Sequence, residues 1–366
     1  MLHNLISQLT ANRSLEASDV GTAVAELVRE DVPAATKADF LSALARKGET
    51  IEEIAAFASL LRDKAVAVPV DAQTRELDIL DVVGTGGDRL NTFNISSTTA
   101  LLCAAAGVTV AKHGNRAATS ASGSADVLEA LGIPLNLSPA EAAAALRETG
   151  FAFFFAPNYH PAFKHIAPAR KLCAERGQRT IFNFLGPLLN PVRPTAMLLG
   201  VPRPEMCEPI ARVLQSLGVR RAMVVCGEVP AGQAESGRQR AETPADSVRY
   251  LDEISSLGET TVAEFYQERG FTVSRLNPEN FPLQPATLAD LVGGDKQVNA
   301  ETARRILRGD ERGPMRDAVL LNAAAALFVA GRSRSMVEGW ELAERLIADG
   351  TAAAKLSELT AAPIAR

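Results

Sequence analysis

An α/β protein, with a mainly parallel sheet flanked by helices and a smaller all-helical domain formed largely by the N-terminus, is the fold this sequence predicts. Three observations carry the prediction. From Leu77 onward, short apolar runs alternate with helical segments, the pattern of a parallel sheet with crossover helices. Residues 1–70 show only helix-period patterning. Glycine clusters also fall just past predicted strands, where sheets of this kind bind their ligands. A length of 366 residues suits two domains, expected here as 1–70 and 71–366.

In the N-terminal part, Val20, Val24, Leu27 and Val28 recur at helical spacing after Ser18. Phe40, Leu41 and Leu44 repeat the pattern, and Gly48 ends that helix. Thr50-Ile51-Glu52-Glu53 is a capping-box pattern, in which hydroxyl and carboxylate each satisfy a free backbone N–H. Behind it Ile51, Ile54, Ala55, Ala58 and Leu61 form an apolar stripe. Helices this short are marginal alone, so their stripes must be covered by the body or by a second subunit.

The predicted strands are Leu77–Val83, Val108–Lys112, Phe151–Ala156, Ala196–Val201 and Ala222–Cys226. Helices are expected near Ser97–Ala106, Ser124–Leu131, Pro139–Thr149 and Arg203–Leu217. Residues 228–249, rich in Gly, Ala, Glu, Gln and Arg, read as an exposed insertion. From Thr302 to Leu346 the pattern is helical again, and Ala318–Ala330 suits a buried helix.

Composition narrows the function classes. Thirty-eight basic residues against 43 acidic ones give a net charge of −5 with no long basic run, which weighs against nucleic acid as the partner. The segment MLHNLISQLT carries neither a basic n-region nor a small-residue cleavage site. The longest apolar stretch, Ala100–Ala111, is interrupted by Gly107 and Thr109 and is too short for a bilayer. Cys103, Cys173, Cys207 and Cys226 stand far apart without a C-x-x-C pair. That points to reduced, buried thiols in a cytoplasmic protein rather than to a zinc site.

The densest chemistry lies between Leu80 and Leu131. Gly84-Thr85-Gly86-Gly87-Asp88 breaks the first strand with three glycines in four positions, letting the backbone turn sharply and aim N–H groups at an anion. Asn94, Ser96 and Ser97 then open a helix, whose free N–H groups and dipole favour phosphate. The pattern is neither the dinucleotide fingerprint, which needs a glycine where Arg89 stands, nor a P-loop, which needs Gly-Lys-Ser/Thr. Lys112 ends the next strand and supplies a point charge suited to a diphosphate. Lys112-His113-Gly114-Asn115-Arg116 is either a ligand turn or a polar loop bonded to itself. Ser120, Ser122, Gly123 and Ser124 offer further donors, or cap the helix behind them.

Two more groups stand out. Asp252-Glu253 is either a solvated acidic pair or a magnesium site completed by water and phosphate oxygens. Tyr159, His160 and Arg170 cluster after the third strand. Arg170 reads either as a surface cation or as the fork for a substrate carboxylate.

GTGGD, NIS, KHGNR, SGSADVLEALG, FAPNYHPAFKHIAPAR, RTIFNFLGPLLNP and LDEIS follow one another along the chain. In that ordered combination the sequence closely resembles the anthranilate phosphoribosyltransferases of tryptophan biosynthesis. The resemblance implies transfer of a phosphoribosyl group from phosphoribosyl pyrophosphate to the amine of anthranilate. It implies that Gly84, Thr85, Gly86, Gly87 and Asp88 cradle the donor, with Asn94, Ser96, Ser97, Lys112 and Ser124 also in contact. Asp252 and Glu253 resemble the family's magnesium carboxylates, with Ser96 on the metal; two ions are expected. Gly84, His113, Asn115, Tyr159, His160, Arg170 and Gly186 match positions along the anthranilate path. No acid–base residue is implied: Lys112, Asp252 and Glu253 would act electrostatically. A homodimer joined through the helical domain, part of residues 165–185 in that domain, and an active site at the hinge are implied as well.

Three departures from the family pattern matter. Ser97 replaces the usual Thr and keeps the hydroxyl. KLCAERGQ is longer than the usual connection, which leaves Arg170 and Arg179 as alternatives for the carboxylate contact. Residues 228–249 separate the fifth strand from Asp252-Glu253. Pyrimidine nucleoside phosphorylases share the architecture, but carry a Lys-His-Ser-Thr-Gly-Gly type motif that this chain lacks.

Overall fold

The structure is a computed structural model that describes residues 1–117, 121–230, 248–267 and 270–361. Four helices open the chain: α1 (Leu2–Thr10), α2 (Ala17–Leu27), α3 (Ala34–Lys47) and α4 (Ile51–Asp63). The capping box of α4 forms as its sequence dictates: Glu53 N–H donates to Thr50 Oγ1 at 3.2 Å, and Thr50 N–H to Glu53 Oε2 at 2.8 Å. The stripes of these helices are buried against each other and against α10 (Ala167–Glu175). Their apolar cluster runs on without a break into one face of the sheet through Met197, Leu199, Val224 and Phe265.

A short helix α5 (Ala72–Glu76) leads into an eight-stranded sheet. Its strands are β1 (Ile79–Gly84), β2 (Thr109–Gly114), β3 (Phe151–Phe155), β4 (Ala196–Gly200), β5 (Arg221–Val229), β6 (Arg249–Leu251), β7 (Thr260–Tyr266) and β8 (Gly270–Leu276). The spatial order is β3-β2-β1-β4-β5-β7-β8, with β6 on β5. Pairings from β3 across to β5 are parallel, whereas those of β6, β7 and β8 are antiparallel. Alternate residues serve opposite faces, as a pleated strand requires. Leu80, Val82, Ala196 and Leu198 enter one apolar cluster, and Met197 and Leu199 the other.

The helices between the parallel strands are α6 (Ile95–Ala105), α7 (Ser124–Leu131), α8 (Pro139–Thr149), α9 (Ala156–Tyr159), α10 and α11 (Cys207–Ser216). The C-terminal helices α12 (Lys296–Arg308), α13 (Pro314–Val329), α14 (Met336–Ala348) and α15 (Thr351–Ala361) cover one face together with α6.

Several expectations are corrected here. The helical stretch read as 302–346 is interrupted, because Gly309 ends α12 in the left-handed region at φ 78° and α14 needs its own cap at Ser335. Strands β6, β7 and β8 go beyond the five that the sequence predicts: β6 has only three residues, and β8 is an exposed edge whose side chains bury little, so no apolar run announces it. Residues 228, 229 and 249 belong to paired strands rather than to an exposed insertion. The rest of that segment, 231–247, lies outside the described residues, as does Ser120. All four cysteines are free and buried. Among the described residues, no helix is long and apolar enough to cross a membrane.

Candidate active site

The strand order reverses between β1 and β4, because the chain runs outward through β2 and β3 and then returns to β1's other edge. Crevices for ligands open at such switch points, past the carboxyl ends of the strands. Gly84 and Gly200 end β1 and β4 side by side, and Thr85 N–H donates to the Gly200 carbonyl at 3.0 Å. Across these ends lies the loop after β6, bringing Asp252 and Glu253 over the switch point.

Glycine makes that crossing possible. A Cβ on Gly200 would lie 1.6 Å from the Asp252 carbonyl oxygen, and one on Gly84 would lie 2.8 Å from Asp252 Oδ2. Toward the end of β5, a Cβ on Gly227 would lie 2.7 Å from the Glu253 carbonyl oxygen. Sequence reasoning misses Gly200 and Gly227, although a signal is there: three apolar runs, ILDVVG, AMLLG and MVVCG, each stop at a glycine.

The glycine turn meets the acids directly. Gly86 N–H donates to Asp252 Oδ2 at 2.5 Å, and Thr85 Oγ1 donates to the same oxygen at 3.3 Å. Gly86 itself holds φ 71°, where a side chain would be strained. Further along the turn, Arg89 and Asn91 also adopt left-handed backbone, at φ 60° and 55°. Glu253 Oε1 accepts from Ser96 N–H at 3.1 Å, at the N-terminus of α6. Lys112 is 1% exposed, and its Nζ donates to the Val82 carbonyl at 2.6 Å and to Ser96 Oγ at 3.4 Å.

Electrostatics show how crowded this corner is. Burial, then the Asp88 carboxylate, then Glu253 hold Asp252 well above the usual carboxylate range. Burial lifts Glu253 to about 8, against the pull of Lys112. Lys112 is held below its ordinary value by burial, opposed by Asp81 and Glu253. Acids pressed together with one desolvated lysine call for a further cation. Among the described residues, no group of three or more His, Cys, Asp or Glu forms a cage for a metal ion. The adjacent carboxylates Asp252 and Glu253 suit magnesium, which takes one or two carboxylates and fills its remaining positions with water and phosphate oxygens.

Asn94 caps α6 in position only, since its side chain makes no capping bond. Instead Asn94 Nδ2 donates to the Ser122 carbonyl at 3.2 Å, and its Oδ1 accepts from Asn299 Nδ2 at 2.9 Å. Ser97 is buried, and its hydroxyl has no partner among the described residues. Ser124 Oγ donates to the Asn115 carbonyl at 3.3 Å. Asn115 turns its own Oδ1 onto Arg116 N–H at 2.8 Å. Arg116 leaves the crevice and pairs with Asp126 and Glu129 on α7.

A second arm runs from β2 toward α10. His113 and His160 meet edge to face with ring centroids 5.3 Å apart. Phe163 follows His160 at 5.2 Å, Phe182 follows Phe163 at 5.7 Å, and the Arg170 guanidinium lies over Phe182 at 5.5 Å. Burial, then the neighbouring His160, holds His113 down to about 3, and the Gly186 backbone partly offsets this. Burial lowers His160 to about 4. Both rings are therefore neutral near pH 7. Arg170 forms no ion pair among the described residues and stacks on Phe182; Arg179 is exposed as well. Tyr159 is not part of the line: it packs on Phe154 at 5.2 Å within a separate apolar cluster. Beneath His113, buried Asp81 accepts from His113 N–H at 3.4 Å and from Asn190 Nδ2 at 2.9 Å. Asn190 lies within the RTIFNFLGPLLNP motif but takes no role from the sequence, and Asp81 sits unmarked inside an apolar strand.

Fold and site together define a class. Residues 76–243 and 245–353 match the model of the glycosyl transferase family's a/b domain, and residues 3–65 match that of its helical bundle domain. The anthranilate phosphoribosyltransferase of Lacticaseibacillus casei (strain BL23) is 44% identical over 361 residues, covering 99% of this chain and 97% of that protein. The crystal structure of anthranilate phosphoribosyltransferase from Thermus thermophilus is 39% identical, with a TM-score of 0.82 and coverage of 98% of both chains. The Saccharomyces cerevisiae anthranilate phosphoribosyltransferase in complex with PRPP and Mg is 26% identical, with a TM-score of 0.81 and coverage of 98% of this chain and 96% of that one. The chain belongs to the glycosyl transferase family and, within it, to the anthranilate phosphoribosyltransferases.

Proposed function

We propose that this chain transfers the phosphoribosyl group of phosphoribosyl pyrophosphate to the amine of anthranilate, giving N-(5-phosphoribosyl)anthranilate and pyrophosphate, a step of tryptophan biosynthesis. The observation that carries the reading is the meeting of Gly86, Lys112, Asp252 and Glu253 at the β1/β4 switch point. The Saccharomyces cerevisiae relative in complex with PRPP and Mg supports the donor and the metal.

The amine nitrogen bonds to C1 of the ribose as the bond from C1 to the pyrophosphate oxygen breaks, and the nitrogen then loses a proton. An aromatic amine is already neutral near pH 7, so no activated nucleophile is needed. Negative charge grows on the departing pyrophosphate. The glycine turn of residues 84–88, through the Gly87 and Asp88 N–H groups, and the Lys112 ammonium would face it, where fixed donors act strongly because they need no reorganisation. Magnesium on Asp252, Glu253 and Ser96, two ions in this reading, would neutralise the same charge. Asn94, Ser97 and Ser124 complete the donor cradle.

Anthranilate enters along the aromatic line, with Gly84, Asn115 and Gly186 at its borders and Tyr159 packed behind it. Arg170, stacked and free of an acidic partner, takes the carboxylate in place of Arg179. His113 and His160 stay neutral and offer ring edges rather than charge. Residues 1–70 with part of 165–185 form the helical domain, through which two copies associate in the cytoplasm.

The test is the fluorescence loss of anthranilate on mixing with donor, magnesium and the protein. Loss that requires all three supports the reading. Phosphorolysis of thymidine or uridine without anthranilate turnover would overturn it.

A further inference from the structure

We infer that Asn322, in the middle of α13, is a positioning residue for the acidic pair, acting through the peptide that follows Glu253. The inference rests on the reading of Asp252 and Glu253 as metal carboxylates. Asn322 interrupts a run that is otherwise apolar from Ala318 to Ala330 and is fully buried. A polar group in such a place destabilises the fold unless each of its atoms is bonded, and here each one is.

Asn322 Oδ1 accepts from Ile254 N–H at 3.0 Å. Its Nδ2 donates to the Ile254 carbonyl at 3.0 Å and to the Ala318 carbonyl, one turn back in α13, at 2.9 Å. One side-chain amide thus pairs with both backbone groups of a single residue, as a neighbouring strand would. Ile254 N–H belongs to the peptide whose carbonyl is that of Glu253. Its orientation, and the root of the Glu253 side chain with it, is therefore set from α13.

The loop has no regular structure of its own between β6 and β7. Its far side is held by Ser255, whose Oγ donates to the Glu228 carbonyl at 2.7 Å and whose N–H donates to Thr260 Oγ1 at 3.0 Å. Its near side rests on Gly84 and Gly200. Asn322 is the contact between them. It ties the loop to a sixteen-residue helix packed against α6, α14, β4 and β5. Groups that orient metal ligands without touching the metal typically govern metal affinity by about 10–100-fold.

The test uses the full chain with Asn322→Leu, which keeps the branched shape and removes all three bonds, and Asn322→Ala, which removes them without added bulk. Circular dichroism establishes the fold. Magnesium affinity, read by titration calorimetry on the protein with pyrophosphate and no turnover, should weaken at least about tenfold and the donor KM rise as much, while the anthranilate KM stays within about twofold. A purely structural residue would not separate the two substrates. An unchanged magnesium affinity, an equal rise for both substrates, or failure of both variants to fold would overturn the inference. Wild-type protein without anthranilate turnover would instead sink the functional reading, and the inference with it.

Discussion

Replacing Gly200 by Ala probes the site at its tightest contact. The added carbon would stand 1.6 Å from the Asp252 carbonyl oxygen, 2.3 Å from its carbonyl carbon and 3.1 Å from its Cα. All three are main-chain atoms, so no rotamer change relieves the clash. The peptide must retreat by roughly 1.5–2 Å to reach ordinary contact distance. Ile254, pinned by Asn322, and Ser255, pinned to β5, resist that retreat. Misplacement of a positioned group by about 1 Å costs on the order of 100-fold in rate, or about 2.7 kcal/mol of transition-state stabilisation. Turnover should fall at least that far. Overpacking costs about 1–3 kcal/mol of stability, within the ~5–15 kcal/mol that a folded protein usually has, so the variant should stay folded. Gly21→Ala is the control: it lies inside α2 with nothing within 4 Å of the new carbon. It should raise stability by about 0.5–1 kcal/mol and leave the kinetics alone. Anthranilate fluorescence with donor and magnesium reads the rate, and thermal melts read the stability. Turnover of Gly200→Ala within twofold of wild type would refute the idea that the strand-end glycines admit the acidic loop.

Three other outcomes are expected. An Asp252→Asn/Glu253→Gln double variant should lose at least about 100-fold in turnover, and a magnesium titration that matches wild type would contradict their assignment. Arg170→Ala should raise the KM for anthranilate more than that for the donor; steady-state kinetics showing the reverse would move the carboxylate contact elsewhere, with Arg179 the first alternative. Ring protonation gives the third. His113 and His160 are held down to about 3 and about 4, below the ~6.5 of an unfolded histidine. The unfolded chain therefore binds more protons below pH ~6.5, and stability present above that pH is lost as the pH falls. Each ring adds up to ~1.4 kcal/mol per pH unit to that loss. Melts between about pH 7 and pH 5 should be flatter for a His113→Gln/His160→Gln double variant, and equal slopes would rule the effect out.

Much of the scaffold is legible in the sequence because its signals are local. The Thr50–Glu53 cap, the alternation from Leu77 onward and the glycine break at Gly84 each depend on residues a few positions apart. β8 is not legible, since an exposed edge strand needs no apolar pattern. Nor is the role of Asn322 or Gly200, for each answers to a loop that is distant along the chain. Tyr159 shows the converse: it neighbours His160 in sequence, yet the short helix α9 turns its ring away from the aromatic line and into the Phe154 cluster.

By itself, the sequence determined the first five strands and the helices between them, and which of them carry charge and hydroxyls, because side-chain periodicity and turn chemistry act over a few residues. Only the tertiary structure decided that Thr85 and Asp252, 167 residues apart, share one hydrogen bond at the switch point. Charge and hydrogen bonding act through space, and the crossover between β1 and β4, not the order of residues, sets which groups face each other.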